Sequence, residues 1–167
     1  TKNYKSFVEE AVFSMVSAPK QKGLDYSLMK VKVKGKEIKG LSSSVIYGPN
    51  AAGKTNIIGA MDVIRAVVLR GNIRNSEEKS SPNPAAEALE LIPNNNAVES
   101  KPVYFSVEFY EEDADNKFVI QYELEIDLGT FLDEEYKRKI IAETLTVNGE
   151  IVFQRIDNIK FGNMKVI

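Results

Sequence analysis

The spacing of apolar residues changes period twice along this chain, from short alternating runs to a helical stretch and back to alternation. In the first part, Asn3-Tyr4-Lys5-Ser6-Phe7 and Ala11-Val12-Phe13-Ser14-Met15-Val16 predict two short strands joined around Glu9-Glu10, with Pro19 ending the second. Lys30-Val31-Lys32-Val33-Lys34 has the two-residue period of a strand with one face in water, before a turn at Gly35-Lys36. Residues 41–47 are expected to form a further strand, although Ser42-Ser43-Ser44 makes its first half less apolar than a strand buried on both faces.

From Lys54 to Arg70 the pattern is helical and apolar on most sides, and only a narrow polar stripe through Asp62 and Arg65 interrupts it. Those two residues, three apart, read as an ion pair on the helix surface. A helix this apolar is expected to be covered on most sides. Gly59 costs it about 1 kcal/mol relative to alanine, so the glycine marks a place of close packing against the sheet. Arg70 and Gly71 make a helix end. Residues 71–84 hold almost nothing that can be buried and are expected to be a flexible loop, followed by a short helix over 85–91 that stops before Pro93. Alternation then returns. Residues 103–110 and 118–128 predict a hairpin in which Phe118, Ile120, Tyr122, Leu124, Ile126 and Leu128 share one buried face. Residues 140–147 and 150–155 predict another around Asn148-Gly149, a strong two-residue turn signal.

Between the strand expected over 41–47 and the helix stands Gly48-Pro49-Asn50-Ala51-Ala52-Gly53-Lys54-Thr55, the spelling G-x-x-x-x-G-K-[ST] of a phosphate-binding loop. A loop wrapped around a polyphosphate must aim successive backbone N–H groups inward, and side chains at its tight points would block the approach. Gly48 and Gly53 meet that need. Lys54 supplies a charge that reaches the β- and γ-phosphates, and the Thr55 hydroxyl can ligate a Mg²⁺ bridging them.

Composition narrows the picture. The 167 residues, 43% of them hydrophobic, suffice for one domain but are short for two. There is no cysteine, so disulfides and thiolate metal sites are excluded; no apolar run is long enough to span a bilayer, and the opening residues carry no secretory apolar region. A cytoplasmic location and no membrane partner are expected. With 22 basic and 24 acidic residues, no overall charge drives binding to nucleic acid, and the seven lysines between residues 20 and 39 read as the solvated face of an edge strand. The absence of histidine removes the commonest general base. A guanine-recognition motif of a GTPase is missing too, since Asn116-Lys117-Phe118-Val119 lacks its aspartate.

Asn3-Tyr4-Lys5-Ser6-Phe7, followed some forty residues later by Ile46-Tyr47-Gly48-Pro49-Asn50-Ala51-Ala52-Gly53-Lys54-Thr55-Asn56-Ile57-Ile58, resembles the head-domain opening of ABC-type ATPases. The resemblance is to the branch holding SMC and RecF-type DNA-repair proteins and the OLD-like AAA family ATPases of bacterial anti-phage systems. It covers residues 3–7 and 45–68. It implies an α/β P-loop NTPase fold, an ABC/SMC-head-like N-terminal lobe with a small parallel core and antiparallel β-hairpins. Residues 1–167 would then be one nucleotide-binding lobe that the remaining C-terminal half of the head completes. The resemblance also implies ATP and Mg²⁺ as cofactors, held by Gly48, Asn50, Ala51, Ala52, Gly53, Lys54, Thr55 and Asn56. Lys5 would lie near the nucleotide, Asn50 near the γ-phosphate, and Thr55 on the metal. Partners by the same likeness are a second copy, in a homodimer formed on ATP, and a nuclease or other effector; nucleic acid stays open.

The departures from that branch concern hydrolysis. Its members carry an apolar strand ending in Asp-Glu and a signature loop acting across the dimer, and neither is found in this sequence. Asp127 ends an alternating strand beside Glu123 and Glu125, and reads as a solvated strand residue. Gln121, a candidate by resemblance for the glutamine that senses the γ-phosphate in ABC ATPases, falls mid-strand rather than in a loop, and Glu111, Glu112, Asp113 and Asp115 fall in a hairpin loop as solvated turn residues. A lobe that binds ATP without turning it over, as a gated interaction module, is the alternative, ahead of a P-loop GTPase or kinase.

Overall fold

In a computed structural model the described residues are 1–18, 23, 25–33, 35–71, 73, 91–95, 101–113, 116–129 and 138–166. The lysine-rich stretch folds as a two-stranded antiparallel hairpin, β1 (Leu28–Val33) and β2 (Lys36–Leu41), with Val31 opposite Ile38 and Lys30 opposite Lys39. That like-charged pair is offset by Asp25, 3.1 Å from Lys30, and by Glu37, 3.4 Å from Lys39. The lysines thus form a solvated face with its own counter-charges, as the alternation predicts. Val33, on the other face, is buried.

The strand expected over 41–47 does not form: β2 stops at Leu41, the Ser42 N–H still donates to the Ser27 carbonyl at 3.2 Å, and beyond it the chain runs into the loop with no strand beside it among the described residues, Val45 82% and Tyr47 90% exposed. A strand is held by its neighbours, and here none of the described residues runs alongside. The two N-terminal strands are likewise reduced to isolated bridges, Lys2 with Tyr104, Tyr4 with Phe7 and Pro93, and Val16 with Gly40. Tyr4 and Phe7 exchange both backbone hydrogen bonds, at 3.0 and 2.9 Å, so Lys5 and Ser6 are the tip of a tight turn rather than part of a strand. Five residues are too few for periodicity to separate the two. Asn3 (φ 54°) and Lys5 (φ 49°) are in the left-handed region. Hydrogen bonds on both sides hold them there: Asn3 Nδ2 donates to the Lys101 carbonyl at 2.6 Å, Asn94 Nδ2 to the Lys5 carbonyl at 2.6 Å, and the Lys5 N–H to the Ile92 carbonyl at 3.0 Å.

The helix, α1 (Lys54–Arg70), has the expected length and end, with Gly71 left-handed at φ 67° and its N–H on the Val67 carbonyl at 2.8 Å. It buries Ala60, Val63 and Val67, whereas Ile58, Met61, Val68 and Leu69 are exposed, so among the described residues only one side of it is covered. Asp62 and Arg65 are both exposed. Gly59 packs closely as expected, but against the N-terminal turn: a Cβ there would stand 3.0 Å from the Tyr4 hydroxyl and 3.5 Å from Lys5 Nζ.

The alternating half becomes a five-stranded antiparallel sheet in sequence order, β3 (Val103–Asp113), β4 (Asn116–Asp127), β5 (Lys139–Val147), β6 (Glu150–Arg155) and β7 (Ile159–Phe161). The first hairpin is longer than expected because Glu111 and Glu112 stay in the ladder opposite Phe118 and Lys117, the latter pair joined by an ion pair at 3.1 Å. Asn148 (φ 52°) and Gly149 (φ 82°) turn the second hairpin as predicted. Val103, Phe105, Tyr122, Leu124, Ile126 and Leu128 bury one face against Ala60, Val63 and Val67 of α1, with Tyr4, Ile73 and Leu91 closing the core. Tyr4 is fully buried, its ring edge-on to Phe105 at 5.1 Å. Each such side chain stabilises the fold by about 1.5–3 kcal/mol through area removed from water. Of the loop expected over 71–84, Gly71 and the buried Ile73 are described, and the rest lies outside the described residues, as does the helix expected over 85–91 apart from Leu91. The architecture is α/β with antiparallel sheets. No described helix is long and apolar enough to cross a membrane.

Candidate phosphate-binding site

The loop from Gly48 to Gly53 takes its shape from two left-handed positions, Ala51 (φ 63°) and Gly53 (φ 82°), and delivers the chain into α1 with no side-chain cap. The N–H groups of Lys54 and Thr55 therefore precede the first bond inside the helix and point out of its N-terminus, where the helix dipole favours an anion. Lys54 Nζ folds back over the loop and donates to the Gly48 carbonyl at 2.9 Å and the Pro49 carbonyl at 2.7 Å. Its ammonium thus ties the start of α1 to the beginning of the loop.

The N-terminal turn completes the wall. Gly53 leaves room for it, since a Cβ at that position would stand 3.3 Å from both the Phe7 ring and Ser6 Oγ. Asn56 Nδ2, in the first turn of α1, donates to Ser6 Oγ at 2.7 Å. Between them lies a cavity of about 180 Å³ lined by Ser6 and residues 51–56. Lys5 Nζ lies 5.5 Å from the centre of the Tyr4 ring, a cation over an aromatic face. Asn50 and Thr55 are exposed at the loop.

Ser6 is the wall residue that the sequence reading passed over, although it stands in the same Asn-Tyr-Lys-Ser-Phe string as Lys5. The acidic residues weighed from sequence are elsewhere in the fold. Asp127 accepts the Gly129 N–H at 3.0 Å, closing the turn after β4, and lies opposite Lys139. Gln121 is mid-strand between Glu108 and Thr146. Among the described residues no group of three or more His, Cys, Asp or Glu side chains is placed to hold a metal. Among the described residues at the loop, Thr55 is the hydroxyl that could hold a Mg²⁺.

A family model described as "AAA domain, putative AbiEii toxin, Type IV TA system" matches residues 43–156, which span the loop, α1 and most of the antiparallel sheet. No curated protein and no solved structure matches the chain.

Proposed function

Since this chain belongs to that AAA-domain family of P-loop ATPases, matched over residues 43–156, we propose that it binds Mg-ATP as the nucleotide-binding lobe of an SMC/RecF/OLD-like, ABC-type head. The observation that carries the reading is the uncapped start of α1 under a loop closed by Lys54, with Thr55 exposed beside it. In this reading Gly48, Asn50, Ala51, Ala52 and Gly53 wrap the phosphates, Lys54 neutralises the β- and γ-phosphates, and Thr55 and Asn56 line the entry to α1. Lys5 lies near the nucleotide. Mg²⁺, where bound, would be held by the Thr55 hydroxyl and would supply charge neutralisation to the phosphates.

The complementary lobe of the head would cover what is bare: the unpaired backbone at Val45-Ile46-Tyr47 and the exposed Ile58, Met61, Val68 and Leu69 of α1. A strand laid beside residues 43–47 would supply the parallel core. The completed head would dimerise on ATP and regulate a nuclease or other effector, in anti-phage defence or DNA repair. The toxin and type IV system named in the family description favour the first. The gated module that binds ATP without hydrolysis stays a second reading, favoured by a cavity lined by Ser6 and residues 51–56, none of them a carboxylate.

Calorimetric titration with Mg-ATP tests the core of the proposal. Lys54→Ala should weaken binding at least about ten-fold, the scale of a lost charge-assisted contact, with little change in melting temperature. Equal affinity in variant and parent would remove Lys54 from the site.

A further inference from the structure

Ser6 stands at the tip of a turn that the fold holds unusually firmly. Its neighbours Tyr4 and Phe7 are locked by reciprocal backbone hydrogen bonds, Tyr4 is fully buried, and Asn94 fixes the Lys5 carbonyl at 2.6 Å. The hydroxyl itself accepts the Asn56 Nδ2 proton at 2.7 Å. A serine hydroxyl has two acceptor lone pairs and a single proton to give, so accepting from Asn56 leaves the O–H free to donate, and among the described residues it has no acceptor. That proton borders the cavity, beside Lys54 and the bare N–H groups that open α1. Around the same cavity Lys54 offers positive charge, and the N–H groups of Lys54 and Thr55 are donors. The acceptor that suits the place is an anionic oxygen.

We propose that Ser6 is a phosphate ligand of the loop, donating its hydroxyl proton to a polyphosphate oxygen, and that Asn56 is the positioning residue that turns the hydroxyl toward it. This rests on the nucleotide reading of the site and adds to it a contact from outside the loop. Ser6 of the N-terminal turn and the helix start then bind one ligand together, so that phosphate binding ties the N-terminal turn to α1.

Full-length chain titrated separately with Mg-ATP and with inorganic tripolyphosphate provides the test, with melting temperature read for each variant. Ser6→Ala should weaken both ligands about ten-fold, as expected for one hydrogen bond to a charged acceptor. Ser6→Thr, which keeps the hydroxyl, should stay within about three-fold of the parent. Asn56→Ala should weaken both ligands less than Ser6→Ala, and the double variant should bind no worse than Ser6→Ala alone, because Asn56 acts through Ser6. Equal binding by parent and Ser6→Ala overturns this inference and leaves the loop reading intact. Loss of ATP with tripolyphosphate unaffected also overturns it, since Ser6 would then read the nucleoside. A parent that binds neither ligand overturns the nucleotide reading and this contact with it.

Discussion

Tyr122 stands on the core face of β4, 8% exposed, and its hydroxyl donates to Glu143 Oε1 at 2.6 Å while Arg155 holds the other carboxylate oxygen. Burial first, and then the hydrogen bond and charge of Glu143, push the phenol well above its ordinary value. The folded chain therefore keeps this proton at a pH where the unfolded chain has lost it. The stability that results is complete below the ordinary tyrosine pKa of about 10 and is lost as pH rises from there toward the folded-state value. Urea unfolding midpoints measured between about pH 9 and 11 should fall more steeply for the parent than for Tyr122→Phe. Parallel slopes would mean that the hydroxyl is as free in the folded chain as in the unfolded one. Nothing in the alternation of β4 marks this residue, because periodicity places a side chain on the core face but does not say which carboxylate a neighbouring strand will bring to it.

At the scale of the element, α1 depends on what sits at Gly59. In a bare helix, alanine at this position would gain about 1 kcal/mol. Here the new methyl would meet the Tyr4 hydroxyl at 3.0 Å, and Tyr4, fully buried and edge-on to Phe105, has no room to retreat. Gly59→Ala should therefore lower the melting temperature, and in a Tyr4→Phe background, where the hydroxyl is gone, the same change should cost clearly less. A Gly59→Ala variant that melts higher than the parent would show the turn to be yielding. The glycine was legible as a close approach, but not its partner, which comes from more than fifty residues away. The short edge strand β7 was not legible at all. It is held at its end by a backbone approach so tight that a Cβ on Gly162 would fall 1.9 Å from the Ile151 carbonyl, and three residues carry too little pattern to announce a strand.

Across the whole molecule, the cavity at the loop and the antiparallel core share α1 and the N-terminal turn, while among the described residues nothing covers Ile58, Met61, Val68 and Leu69 of α1 or Val45 and Tyr47 before the loop. In-line attack on a γ-phosphate needs a group that orients or deprotonates water. In the proposed reading Lys54 and Thr55 position and neutralise but cannot do this, and no carboxylate is among the described residues that line the cavity. Purified chain given Mg-ATP should accordingly release phosphate at the background rate even where it binds, and release should rise when a complementary lobe is supplied. Multiple turnover by the chain alone, abolished in Lys54→Ala so that contamination is excluded, would show that a base exists within it. Asp127 would then be the first residue to re-examine.

The sequence by itself determined the elements whose cause is local. The period of α1, its glycine end, the buried face of β4 and the Asn148-Gly149 turn all follow from side chains within a few positions of one another. The phosphate loop was legible for the same reason, its eight residues forming one continuous backbone cradle. The tertiary structure alone decided where pairing or contact joins distant residues. Val45-Ile46-Tyr47 has strand-forming side chains but no neighbour to bond among the described residues; Asn3 to Phe7 looks like a strand and is held in a turn by a hydrogen bond donated by Asn94 and by those that Lys5 and Asn3 donate to the Ile92 and Lys101 carbonyls. Ser6 reaches the cavity at the loop through that bend. Side-chain pattern sets which face of a segment is apolar, but a ladder or a site needs a second segment, and its identity is set by the packing of the whole chain.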